Sequence, residues 1–322
     1  NDVDDNASQA SDTYSTNSDW TDYGNVPAVL GDYKPFVATI KGSKKWNKYQ
    51  RKLHRLIYMR GIHPMLPSWW RFSFKMWAVT HPDLASIFAP ENSRKRVAIH
   101  AYGNEHAAAQ ALEDLFEISR IASDYNITGY QDMIGRLVVN KIDDYRKWAL
   151  RDAGLWKKKG IPPIILIQEY PTDFHIRKKQ KRTATDTEDT GDDEGPAGDA
   201  RRQAKFRVAL ARDIRKRLSH MGERWREVLW NEKTQSYIAE PPTLFGYAVV
   251  QHFVMLVSHD AGRPKKPVVI LEQVRLNDRG QWLWNTLTIA LPIHMARDAL
   301  YKMRNIKEVV PKQTAVEDDP DL

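Results

Sequence analysis

Apolar residues recur every three to four positions up to about residue 154 and then gather into short continuous runs. That single change of period confines the chain to an α+β architecture, because a helical repeat cannot sit on a pleated strand. Residues 43–60 place Trp46, Tyr49, Leu53, Leu56 and Ile57 on one side of a helix. A second helix is expected from Ser68 to about Thr80, with Pro82 at the first turn of a short third one. Between 104 and 123, Ala108, Leu112, Leu115, Phe116 and Ile118 point inward and Glu113, Asp114 and Glu117 outward. The next helix passes through Ile134, Leu137, Val138, Ile142 and Tyr145. Thr128 and Gln131 have the spacing of a capping box at its start, and Gly154 suits its C-terminal cap.

The second half reads differently. Pro163 to Gln168 is a continuous apolar run bounded by prolines, the pattern of a buried strand. Residues 201–230 form a helix through Phe206, Leu210, Ile214, Leu218, Met221, Trp225 and Leu229. Leu244 to Val257 and Pro267 to Leu276 are β-rich, and Gly262 and Pro264 between them predict one long hairpin. Helix returns from Gln281 to about Met303. The fold class that follows is α+β: a helical N-terminal half, then a small, mainly antiparallel sheet with flanking helices in the C-terminal half.

Three segments lack the apolar surface to offset their ordering entropy. Residues 1–24 hold six Asp and no Lys or Arg, and an acidic arm is expected over 1–35. A charged insert is expected over 176–200, basic from Arg177 to Arg182 and acidic after it, and an acidic tail over 311–322. The body then divides into a helical region, 36–154, and an α+β region, 155–310.

Several chemistries are excluded by residue type. With no cysteine, the chain has no disulfide, thiolate metal site or cysteine nucleophile. It contains no GxxxxGK[ST], GxGxxG or GxSxG, and its ten His show no metal-ligand spacing, so no cofactor or metal is called for. His252 and His259, seven apart on one expected strand, would point to opposite faces. No apolar run approaches the roughly 20 residues that span a bilayer, and no signal peptide is seen. An intracellular protein, nuclear or cytoplasmic, is expected. The chain begins at Asn1 rather than Met, which suggests that an upstream segment, and any targeting signal in it, has been removed.

Charge points to partners. The net charge is +8, which favours nucleic acid or an acidic protein. Residues 43–60 carry seven Lys or Arg and no acid. Lys44, Lys48, Arg51 and Arg55 form a narrow stripe opposite the apolar face, suited to positioning phosphates. Lys178, Lys179, Lys181 and Arg182 form a second candidate contact, continued by eight Lys or Arg against the single Asp213 between 201 and 217. A solvating role for these faces, in a protein-interaction module, is the competing reading, and the acidic stretch of the insert could cover the second zone. The expected function is a non-enzymatic binding or scaffold protein whose basic surfaces contact nucleic acid or an acidic protein.

The stretch PPTLFGYAVVQHFVMLVSHDAGRPKKPVVILEQVR and the helix WLWNTLTIALPIHMARDAL resemble the C-terminal part of conserved proteins of filamentous fungi that carry no assigned activity. The order of elements from residue 128 is also similar, more distantly, to the PD-(D/E)xK restriction-endonuclase-like fold. That second resemblance implies a metal-dependent nuclease in which Asp152 and Glu169 hold a Mg²⁺ ion that activates water. The chain departs from the family at the lysine position, where Pro171 follows Glu169. The alternative triplet, Glu272 to Val274, has Arg275 one step later.

Overall fold

The structure is a computed structural model and describes residues 26–74, 82–91, 93, 97–156, 160–171 and 196–304. The described residues hold six α-helices: α1 (Val26–Thr39), α2 (Lys48–Tyr58), α3 (Glu105–Ile127), α4 (Gln131–Asp152), α5 (Pro196–Leu229) and α6 (Trp282–Met303). The strands are β1 (Ile165–Glu169), β2 (Trp230–Asn231), β3 (Ser236–Tyr237), β4 (Thr243–Val250), β5 (Phe253–Asp260) and β6 (Val269–Arg275). β2 and β3 form a small ribbon. The other four make a mixed sheet in the order β1-β4-β5-β6, with β1 parallel to β4 and the remaining pairs antiparallel. The α+β expectation, helices first and sheet second, holds.

Helices cover both faces of this sheet. A Cβ added at Gly246 of β4 would meet Ile214 and Leu218 of α5, so that face belongs to α5. The next residue, Tyr247, donates its hydroxyl to the Ile289 carbonyl of α6 at 2.6 Å on the opposite face. α2 joins α6 on that side, where Gln50 donates through Nε2 to Ser258 Oγ at 3.0 Å. β4 is consequently buried over almost its whole length, which is why its sequence reads as continuously apolar. Both halves of the chain share one core, with Leu53, Trp70, Phe74 and Phe116 in the same cluster as Trp225, Leu256 and Leu291.

Local readings are corrected at several points. The run from Leu244 to Val257 is two strands, because Gln251 takes a positive φ of 51° and turns β4 into β5 within two residues. His252 therefore lies in a turn and His259 on β5, and the one-strand argument about their faces lapses. Thr128 ends α3 instead of starting α4: its hydroxyl donates to the Asp124 carbonyl at 2.9 Å, and Gly129 turns the chain at φ +83°. Gly154 does cap α4, at φ +66°, and Asn47 supplies an unanticipated capping box with Gln50 for α2. β1 is a half-buried edge strand instead of a buried one.

Two boundaries also move. Residues 26–39, partly assigned to the acidic arm, are helix α1, and α5 begins at Pro196 inside the expected insert. Of the expected helix from Ser68, residues 68–72 form a 3-10 turn. Residues 75–81, 1–25, most of the insert and the acidic tail lie outside the described residues.

Candidate anion-binding cleft

A polar cleft of about 340 Å³ lies at the end of the sheet where β4 turns into β5 and β6 stops. Three arginines reach it from separate parts of the chain: Arg60 just after α2, Arg207 on α5 and Arg275 at the end of β6. Gln273, Gln281 and Asn285 add amide groups to the wall. Arg275 lies opposite Phe253 in the β5–β6 register, and its guanidinium stacks over that ring at 5.0 Å. Asn285 donates to the Arg275 carbonyl at 2.7 Å, which ties the end of β6 to α6.

The charges in the cleft are incompletely balanced. Arg60 pairs with Glu272 at 3.3 Å. Among the described residues, Arg207 and Arg275 have no carboxylate partner, and the one acid lining the cleft, Asp278, accepts from its own loop at Gly280 N at 3.1 Å. The outer face of α5 extends this field. Lys205, Arg207, Arg212, Arg215 and Lys216 are exposed, and Arg217 is held by Asp213 at 2.8 Å. His252, beside Phe253, has its pKa lowered by burial and then by Arg275.

The stripe read on α2 is less uniform than its sequence. Lys44 and Arg51 are exposed, and Arg51 donates to the Lys44 carbonyl at 3.2 Å. Lys48 is exposed but pairs with Glu240 at 3.3 Å, a partner nearly 200 positions away in the chain. Arg55 is withdrawn from the surface: burial lowers its pKa, with Tyr33 of α1 favouring its charge. α1 covers this side of α2, with Tyr33 hydroxyl and His54 Nδ1 3.1 Å apart. Lys178, Lys179, Lys181 and Arg182 lie outside the described residues.

Asp152 and Glu169 have separate surroundings. Asp152 accepts from the Tyr102 and Gly103 backbone amides at 2.7 and 2.9 Å and from Arg297 Nη1 at 3.2 Å. Arg297, fully buried on α6, also donates to the His100 carbonyl at 2.7 Å and to Asp298 at 3.1 Å. Glu169, at the end of β1, lies over Gly135 of α4. Among the described residues no group of three His, Asp or Glu has metal-holding geometry.

Arg60, Arg207 and Arg275 each fall in a stretch noticed for its charge or as a motif neighbour, yet no sequence signal joins them. Only the fold brings these three elements to one cleft. No helix among the described residues is long and apolar enough to cross a membrane. Neither the sequence nor the fold matches any protein-family model, curated protein or solved structure with which it was compared, so the cleft's own geometry carries the functional reading.

Proposed function

We propose that this protein is a non-enzymatic binder of phosphate polyanions, with the sugar-phosphate backbone of nucleic acid as its ligand. The observation behind this reading is the convergence of Arg60, Arg207 and Arg275 on one polar cleft, where only Arg60 of the three has a carboxylate partner among the described residues. A guanidinium offers a planar fork of donors that matches phosphate oxygens, and it remains charged at any physiological pH. Amide side chains of Gln273 and Gln281 can complete the hydrogen bonding. The exposed cations of α5 would guide a long anion toward the cleft. None of this reads bases, so binding should be weakly sequence-selective.

The test is titration of mixed-sequence DNA and RNA over a salt series, comparing the intact chain with an Arg60/Arg207/Arg275 triple Ala variant. Steep loss of affinity with salt is expected, and the variant's slope should be shallower by about one unit per phosphate contact removed. Equal slopes would show that the cleft does not take phosphate. Absence of binding even at low salt would direct the search to an acidic protein partner. Mg²⁺-dependent cleavage abolished by Glu169→Ala would instead make the protein a nuclease.

A further inference from the structure

A second cavity, of about 200 Å³, lies between α4, α6 and the segment leading into β1. Its walls are mainly apolar, with Leu150, Leu155, Ile161, Ile164, Ile293 and Leu300 among the residues that form them. The space exists because two alanines, Ala149 on α4 and Ala296 on α6, stand where larger residues would fill it. Arg297 also lines it, but each nitrogen of its guanidinium already has a hydrogen-bond partner. Arg297 therefore presents only its stem, and its charge is spent on the network behind the cavity. Carbonyls nearby are engaged as well: Pro163 accepts from Trp225 Nε1 at 3.0 Å and Ile164 from Phe245 N at 3.0 Å.

The polar element sits on the more exposed part of the lining. Arg146 and Trp156 keep part of their surface in solvent. Arg146 gives Nε and Nη2 to Asp143 Oδ1, at 2.8 and 2.6 Å, while its Nη1 has no partner among the described residues. Arg151 stacks on the Trp156 ring at 5.1 Å and adds a second positive charge beside the same lining. A mainly apolar pocket with an arginine donor at its edge is complementary to a molecule with an apolar body and one anionic end.

We infer that this cavity is a binding site for a small amphipathic carboxylate, its hydrocarbon body against Ala149, Ile293 and Ala296 and its carboxylate on Arg146. A dry cavity of about 150 Å³ holds benzene, so this one suits a body of roughly six to eight carbons. The site is separate from the arginine cleft and independent of the nucleic-acid reading.

The experiment is calorimetric titration and thermal melting of the full chain with octanoate, 1-octanol and octylamine. Octanoate should bind saturably, one per chain, and raise the melting temperature, because a ligand held only by the folded state stabilises it. Arg146→Gln should weaken octanoate about tenfold, the value of one charge-assisted hydrogen bond, and leave octanol binding unchanged. Ala296→Leu should abolish binding by filling the cavity. Ala149→Leu blocks it from the other wall should Ala296→Leu fail to melt cooperatively. No saturable binding to the intact chain, or undiminished octanoate affinity in a folded filled variant, would overturn the site. Octanol or octylamine binding as tightly as octanoate would overturn the assignment of an anionic ligand.

Discussion

Arg297 is the most consequential single side chain in the core. Its side chain is wholly buried and holds Asp152, Asp298 and the His100 carbonyl together, while its guanidinium lies 4.5 Å over the Tyr102 ring. Truncation would strand the Asp152 charge in an interior that cannot solvate it. Arg297→Ala should therefore cost roughly 3–5 kcal/mol of unfolding free energy, measured by chemical denaturation. His259 is the opposite case. It is buried, neither ring nitrogen has a hydrogen-bond partner among the described residues, and its pKa is lowered by burial first, with Arg226 and Arg215 adding to the effect against Asp260.

His54 and His252 are lowered too, each mainly by burial. The neutral forms are the ones that fold, so stability is complete above the unfolded value of about 6.5 and is lost as pH falls below it. The melting temperature should drop between pH 7.5 and pH 5. His259→Phe should reduce that drop without destabilising the protein at neutral pH, since it removes unsatisfied polar atoms at similar volume.

At the scale of elements, two glycines make opposite predictions. Gly246 on β4 leaves no room: a Cβ there would come 2.9 Å from Val257 Cγ2 and 3.4 Å from both Ile214 and Leu218. Gly246→Ala should cost about 1–3 kcal/mol, because branched side chains on two elements must shift in a packed layer. At Gly135, inside α4, the nearest atoms to an added Cβ all belong to the flexible Glu169 side chain, which can swing away. Gly135→Ala should be neutral or stabilising by up to about 1 kcal/mol, from helix propensity. Denaturant midpoints of the two variants, read against the intact chain, check both.

Element type was legible from period alone for α3, α4 and α5, where the buried residues are the ones that recur at helical spacing. The β4–β5 turn was not legible. Val250, Gln251, His252 and Phe253 contain no Gly, Asn or Pro, and a non-glycine residue at positive φ carries no sequence signature. α1 was missed for a related reason: its helix is supported by Tyr33 and Phe36 packing on His54 and Tyr58, contacts that exist only once α2 is in place.

For the whole molecule, the proposed function turns on where positive charge is left unbalanced after folding. Counted along the chain, α2 looks like the strongest basic surface, since no acid lies near it in sequence. In three dimensions Glu240 reaches Lys48 and α1 covers Arg55, whereas Arg207 and Arg275 keep no carboxylate partner among the described residues. Lys48→Ala should therefore change nucleic-acid affinity less than Arg207→Ala at the same salt concentration, a comparison that fluorescence anisotropy can make directly. An equal or larger loss at Lys48 would return the binding face to α2.

The sequence by itself determined the α+β class, the long helices, the residues they bury, and the concentration of cationic side chains before and within α5. These follow from spacing and composition, which act between residues close in the chain. Only the tertiary structure decided that β1 adds to β4 in parallel, that Arg60, Arg207 and Arg275 share a cleft, that Asp152 serves a buried arginine, and that two alanines on different helices leave a cavity. Each of these joins residues distant in sequence, and their meeting is settled by how the helices and sheet pack, not by anything a local pattern records.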